Sequence, residues 1–371
     1  MFGGIRFRIN QIFGLIALAV PHKRNNHFDV IVVRVDAIGD YILWRDSLDA
    51  YREMLNGKRS LLICADVVRP LAESEELFTD IWSFNRRNFE LNFSYFRKQF
   101  RYLQTLSADT VINPNWERLR MGDIMVKAIR SSSKVGMAGK GKRYFETRFY
   151  DHQYKTLIPR PNTVSEIEAI QYFTQRVISP TYQYGKRQLI AFDYVPPTSD
   201  PFVVFALSAS DDRKVWDPRQ FAKVIDSIPS SFKIVLSGAG IGDDERAAIV
   251  TQSVKDRKRI INLVNKTSLK ELVSLIATAS FVVGNDSAAV HIAAATRVPS
   301  VCVTTGAHFL RFIPYPPGTL IGNKYLPHAV YNKMDCFGCG YNCTHPINER
   351  YECLRRVSTD VVIREVERLL S

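Results

Sequence analysis

The sequence predicts an α/β protein: two Rossmann-like halves, each built on a parallel sheet, facing one another across a cleft. Three observations carry that expectation. Short β-branched runs alternate with longer stretches of helical apolar spacing, the pattern of repeated βαβ units. The alternation runs once from Asp29 and again from Phe202. Between the two lies Val195-Pro-Pro-Thr-Ser-Asp-Pro201, three prolines in seven residues, which makes a stiff linker.

In the first half, Val30 to Val35 is a β-branched run suited to a buried parallel strand. The chain turns at Ala37-Ile-Gly-Asp40, and Tyr41 to Leu55 has helical spacing. Ser60 to Cys64 and Asp109 to Asn113 read as strands, with helices over Phe89 to Leu106 and Glu166 to Val177. In the second half the strands are Phe202 to Ala206, Phe232 to Ser237, Phe281 to Val283 and Ser300 to Val303. The helices are Pro218 to Ile228, Asp243 to Val254, Leu269 to Ala277 and Ala288 to Ala295, with a last one over Thr359 to Leu370. Pro218 opens its helix where a missing N–H is harmless. The expected organisation is therefore an apolar and basic arm (1–28), a first Rossmann-like domain (29–194), the linker (195–201), a second such domain (202–330), and a Cys-rich loop with the final helix (331–371).

Composition narrows the function. At 371 residues, 46% hydrophobic and 23% charged, the chain is ordinary globular material, not disordered or fibrous. No apolar run approaches the roughly 18 residues of a spanning helix. The net charge of +13 is concentrated: Phe84 to Arg148 holds 14 Lys/Arg against 5 Asp/Glu. Such a region is either a solvated basic surface or the mark of an anionic partner, whether nucleic acid, a membrane face or a phosphorylated substrate. Tyr95, Phe96, Phe100 and Tyr102 within it would also suit base stacking, so a nucleic-acid-binding protein is a rival reading. The arm, Ile5 to Val20 with Arg6 and Arg8 near its start and Lys23 and Arg24 after it, fits a membrane-surface helix, a signal peptide or a plain packing arm.

Four motifs carry chemistry. In Gly284-Asn-Asp-Ser-Ala-Ala-Val-His291, Gly284 ends a strand and Asp286 and Ser287 can cap the next helix. The backbone N–H groups of Ala288 and Ala289 then form an anion site, with His291 one turn in. Ser208-Ala-Ser-Asp-Asp-Arg-Lys-Val-Trp216 follows a strand, where α/β sheets bind ligands; Ser208, Ser210 and Lys214 could hold phosphate. Ser237-Gly-Ala-Gly-Ile-Gly242 has Asp243 where a dinucleotide fingerprint needs glycine, so Gly238 marks a tight turn near a ligand. Gly39-Asp40 puts a carboxylate on the first βα turn, as a helix cap or a general base.

Taken together, Asp36-Ala-Ile-Gly-Asp40, the Ser210-to-Trp216 loop and the Gly284-to-Ala294 stretch resemble glycosyltransferase family 9, the ADP-heptose:lipopolysaccharide heptosyltransferases and their relatives. The resemblance implies the GT-B fold and an inverting transfer with no cofactor for catalysis. By it Asp40 is the base and Gly39 lies on the acceptor side. The resemblance implies that Ser210, Lys214, Asp286, Ser287 and His291 bind the donor, and the reading of the loops themselves adds Ser208, Gly238 and Ala288 to the expected donor set. The implied partners are a nucleotide-sugar donor, expected to be ADP-heptose, and a phosphorylated lipid-linked glycan acceptor at a membrane surface. No nucleic acid is expected. The place implied is cytoplasmic, peripheral on the inner face of the bacterial inner membrane. A non-transferase of the same fold, such as a nucleotide-sugar epimerase, is the other enzyme reading.

Of six cysteines, Cys64 and Cys302 sit in strand-like runs and read as core. Cys336, Cys339, Cys343 and Cys353 crowd into 18 residues, and the first pair has the knuckle spacing of thiolate metal sites. A structural zinc or iron is the expectation, with free thiols or a disulfide as alternatives.

Overall fold

The computed structural model describes residues 26–139 and 149–371, which form two compact units. The arm's first 25 residues, on which the membrane and signal-peptide expectations rest, lie outside the described residues.

The first unit comprises residues up to Thr163 together with Glu168–Tyr182. Its strands are β1 (Asn26–Arg34), β2 (Ser60–Ala65), β3 (Asp80–Phe84), β4 (Leu106–Asn113), β5 (Arg130–Met137) and β6 (Thr156–Ile158). All pair in parallel in the order β3-β2-β1-β4-β5-β6. That is the order of the doubly wound dinucleotide-binding sheet, with its switch point between β1 and β4. Alternate residues of β1 explain the layers: Ile31 and Val33 join a core with Phe84, Phe89, Phe96 and Phe100.

Two expected helices are each divided in two. Tyr41–Leu55 becomes α1 (Ile38–Arg45) and α2 (Leu48–Leu55). The break falls where Ser47 Oγ donates to the Trp44 carbonyl (2.7 Å) and Asp46 accepts from Tyr182 Oη (2.7 Å). These side chains offer the backbone an alternative to the helical ladder. After α3 (Arg69–Ser74), the Phe89–Leu106 stretch becomes α4 (Arg86–Leu91) and α5 (Phe93–Gln104). Asn92 has extended backbone there and its side chain caps α5 through the Tyr95 N–H (3.0 Å). Then come α6 (Arg120–Ala128) and α7 (Glu166–Val177).

The second unit repeats the plan with β7 (Phe202–Ala206), β8 (Lys233–Ser237), β9 (Ile260–Asn262), β10 (Phe281–Asn285), β11 (Ser300–Val303) and β12 (His328–Val330). The order β12-β11-β10-β7-β8-β9, all parallel, is the first sheet's order read in reverse. Its helices are α8 (Pro218–Ser227), α9 (Asp243–Ser253), α10 (Leu269–Ala277), α11 (Ala288–Thr296), α12 (Glu352–Arg355) and α13 (Thr359–Leu370). Val362 and Val366 of α13 share a core with Phe205, Trp216 and Phe221.

The compact units part near Gln183, earlier than the expected linker at 195–201. The reason is local. The Leu189 N–H bonds to the Ala295 carbonyl and the Phe192 N–H to Ser274 Oγ, both at 2.8 Å, tying this stretch to the second unit. Among the described residues no helix is long and apolar enough to cross a membrane.

Candidate functional site

In the second unit the switch point lies between β7 and β10, so the loops leaving Ala206 and Asn285 flank one crevice at the carboxyl edge of the sheet. Those are the loops the sequence singles out. Gly284 is required where the strands meet: a Cβ there would stand 2.9 Å from the Ala206 Cβ. Asn285 then locks the two loops together. It is fully buried, its Oδ1 accepts from the Trp216 N–H (2.8 Å), and its Nδ2 donates to the Leu207 carbonyl (3.0 Å). Sequence reasoning passed over Asn285 in favour of its neighbours, although a polar residue ending a buried strand is itself a signal.

Lys214 Nζ donates to Ser210 Oγ at 3.0 Å, so the two expected phosphate ligands are adjacent. Asp211 Oδ1 accepts from the Arg213 backbone N–H (2.9 Å), closing the turn that carries Lys214. The Arg213 guanidinium holds the Asp211 carboxyl down at about 2, so this loop keeps its ion pair throughout the neutral range. Ser208 is engaged within the fold. Its hydroxyl donates to the buried Asp243 carboxylate and accepts from the Ala239 N–H (3.0 Å). A Cβ on Gly238 would come within 2.9 Å of both Ser208 Oγ and Asp243 Oδ2. Ser208, Gly238 and Asp243 therefore brace the β7 and β8 loops against each other.

The sequence reading expects an anion site at the N-terminus of α11. Ser287 is its N-cap, with extended backbone, yet its side chain makes no capping bond. The expected cap by Asp286 and Ser287 is thus absent as a side-chain bond, and the first-turn N–H groups are not satisfied that way. Asp286 instead accepts from Thr304 Oγ1 at 3.3 Å. His291 is buried, its Nδ1 pairs with Tyr315 Oη at 2.8 Å, and the two rings stack. Burial lowers its pKa to about 4, so the imidazole is neutral at pH 7.

In the first unit, Gly39 and Asp40 fall in the first turn of α1, directly beyond β1. Asp40 is half-buried. Below it the fully buried Arg34 pairs with Asp36 (2.9 Å) and donates to the Asp40 carbonyl (3.0 Å). This clamp fixes the turn without touching the Asp40 carboxylate.

The four cysteines line one small cavity together with His345 and Tyr351. Burial, with Cys339 next to it, pushes the Cys343 thiol up to about 11, as expected for neutral sulfurs crowded together. Sulfur donors around one cavity suit a soft tetrahedral metal. The four sulfurs do not converge on one point as a single ligand set, however. Among the described residues, the three metal-capable donor atoms that converge within 4.8 Å belong to Asp335, Cys336 and His345. Neither Asp335 nor His345 was foreseen, because a lone His beside a Cys run carries little signal. The loop is tied to β11's exit by the Gly338 N–H to the Gly306 carbonyl (2.8 Å) and the Gly340 N–H to the Ala307 carbonyl (3.0 Å).

The model of glycosyltransferase family 9 (heptosyltransferase) matches residues 97–324. Lipooligosaccharide heptosyltransferase 2 of Campylobacter jejuni is 28% identical over 157 residues, 42% of this chain and 47% of that protein. The match thus spans about half the length of that relative. Escherichia coli heptosyltransferase WaaC, solved with ADP-2-deoxy-2-fluoro heptose, superposes with a TM-score of 0.63 at 17% identity over 91% of this chain and 99% of that one. The iron-containing dodecameric glycosyltransferase TibC from enterotoxigenic E. coli gives 0.51 at 15% identity over 94% and 79%. These likenesses give each unit its place in a GT-B architecture.

Proposed function

The chain belongs to glycosyltransferase family 9, and on that premise we propose that it is an inverting glycosyltransferase, moving heptose from an ADP-linked donor to a lipopolysaccharide core or related glycan acceptor. One observation carries the reading: the loop with Ser210 and Lys214 and the segment entering α11 leave the neighbouring strands β7 and β10 at the switch point of the second sheet, tied to each other through Asn285. Hydrogen-bond donors gathered at the carboxyl edge of an α/β sheet are what a nucleotide diphosphate needs.

In the proposed reaction the Asp40 carboxylate takes the proton of an acceptor hydroxyl. That oxygen forms its bond to the anomeric carbon while the bond from that carbon to the diphosphate oxygen breaks. The leaving nucleotide diphosphate carries the electron pair away, and Lys214 and the α11 N–H groups stabilise the charge that develops on it. Attack from the face opposite the leaving group inverts the anomeric centre. Asp286, held by Thr304, and His291, held by Tyr315, belong to the donor end of α11, and Ser208 and Gly238 hold the neighbouring loop.

A donor screen tests the assignment. Of ADP-, GDP-, UDP- and dTDP-linked sugars, one class should raise the melting temperature by mass action, and we expect it to be ADP-heptose. A flat response to all four would remove the donor site.

The acceptor and membrane readings draw on α4 and α5. Arg87, Arg97, Lys98 and Arg101 are exposed there beside Leu91 and Phe93, a cationic and apolar surface suited to anionic lipid on the cytoplasmic face of the inner membrane. The protein should co-sediment with phosphatidylglycerol vesicles and not with phosphatidylcholine vesicles. Equal recovery with both would contradict the membrane assignment.

The Cys loop is proposed to hold a structural zinc or iron, with ligands drawn from Cys336, Cys339, Cys343 and Cys353 and with Asp335 and His345 in reach. Bound there, the metal would supply cross-linking of the loop and no step of the transfer. Elemental analysis of protein purified without chelator should find about one metal per chain, lost in Cys336→Ser/Cys339→Ser. Unchanged metal content in that variant would exclude these ligands.

A further inference from the structure

The Cys-rich loop does more than follow the donor motif in sequence: it packs against the loop that carries Lys214. The Tyr351 N–H bonds to the Arg213 carbonyl (3.1 Å) and Arg350 Nε to the Val215 carbonyl (3.0 Å), one on each side of Lys214. Lys214 Nζ itself stands 4.4 Å from the centre of the Tyr341 ring. We propose that Tyr341 is a positioning residue for donor binding, presenting its ring face to the Lys214 ammonium so that the ammonium is held between that ring and Ser210 Oγ, facing the diphosphate.

Three observations support this. First, the ring is fixed from several sides. His308 meets it edge-on at 4.7 Å, Tyr351 packs at 5.1 Å, and its hydroxyl lies 3.5 Å from Thr305 Oγ1. Second, the backbone of Tyr341 is in the left-handed region (φ +66°), an uncommon conformation for a bulky residue. Such a conformation persists only where the surroundings determine it. Here Gly338 and Gly340, both at positive φ, lead the chain into it, and their N–H bonds anchor it to residues 306 and 307. Gly306 is needed for the same reason, since a Cβ there would strike the Phe337 ring at 2.3 Å. Third, a lysine side chain has some four rotatable bonds, and an unrestrained ammonium loses rotamer entropy when it grips a ligand. A fixed aromatic face removes part of that loss beforehand and leaves the N–H donors directed away from the ring.

This inference rests on Lys214 being a donor ligand, and the test separates the two claims. ADP, GDP, UDP and dTDP are titrated calorimetrically, and the tightest is carried through a double-mutant cycle of Lys214→Ala and Tyr341→Leu. Tyr341→Leu should raise Kd about 3- to 30-fold, from the strength of a cation–π contact. Tyr341→Phe should restore it to within about twofold. In the Lys214→Ala background Tyr341→Leu should add less than about twofold, because the ring acts through the ammonium. In turnover, kcat/KM for the donor should fall with the affinity, because the same ammonium meets the charge that develops on the leaving diphosphate. Additive effects of the two substitutions, or a Tyr341→Phe variant as weak as Tyr341→Leu, would overturn the role of Tyr341 while leaving the donor site intact. Wild-type affinity in Lys214→Ala, or no saturable binding of any of the four nucleotides, would overturn the donor-site reading and this inference with it. Should Tyr341→Leu not fold, the wild-type protein still decides. With lysines carrying ¹³C-methyl groups, the resonance that disappears in Lys214→Arg should be displaced by ring current from the other lysines. A resonance within the main envelope would overturn the proposal.

Discussion

Asp40→Asn should lower turnover by about 10²- to 10⁴-fold while leaving the fold and nucleotide-diphosphate affinity unchanged. The substitution keeps size and removes only the ability to take a proton. The fold should tolerate it because the contacts that set the α1 turn do not use the carboxylate. Arg34 grips the Asp40 carbonyl and the Asp36 side chain, and Asn supplies the same carbonyl. Steady-state turnover and calorimetric nucleotide titration on one preparation separate the two effects. Near-normal turnover would remove Asp40 from the mechanism, and lost nucleotide binding would mean that it serves the donor.

Lys214→Ala should weaken nucleotide-diphosphate binding by about 1.5–3 kcal/mol, the range for hydrogen bonds to charged groups, or about 10- to 150-fold in Kd. The estimate assumes that the ammonium is held in place before the ligand arrives, which the contacts with Ser210 and Tyr341 provide. The loop itself should survive, because its turn is closed by Asp211 and by the Asn285 side chain and not by the lysine. The effect should be small for the mononucleoside without phosphate. Equal losses for nucleoside and nucleotide diphosphate would mean that the loop had collapsed, and no loss for either would defeat the assignment.

Much of the architecture was legible in the sequence because parallel strands buried on both faces must be near-continuous apolar runs. β1, β7 and β10 announce themselves in this way. The strands that were missed have no such run. β5 reads Arg-Ser-Ser-Ser-Lys-Val-Gly-Met, and β3 is an edge strand of five residues. Their place is decided by pairing with a neighbour and not by local pattern. The two broken helices failed for a related reason, since apolar spacing continues through Asp46–Ser47 and Asn92 although side chains there cap and turn the backbone.

The site was legible where function demands a local motif, as in the Gly284–His291 stretch, and illegible where it depends on contacts distant in sequence. Nothing near Ser208 reveals that its hydroxyl answers to Asp243, and nothing near Lys214 reveals Tyr341, more than 120 residues on. The Cys cluster shows both sides. Its sulfurs could be counted from the sequence, but the approach of Asp335 and His345 to Cys336 needed the folded loop.

Transfer of a sugar from a nucleotide diphosphate to a glycan hydroxyl can be followed by mass spectrometry of a truncated lipopolysaccharide core incubated with ADP-heptose and either wild-type or Asp40→Asn protein. The acceptor should gain the mass of one heptose residue as ADP is released, at a rate lowered at least about 100-fold by Asp40→Asn. Consumption or rearrangement of ADP-heptose at wild-type rates with no mass gained by the acceptor would contradict such transfer, and would indicate an enzyme that acts on the nucleotide sugar alone.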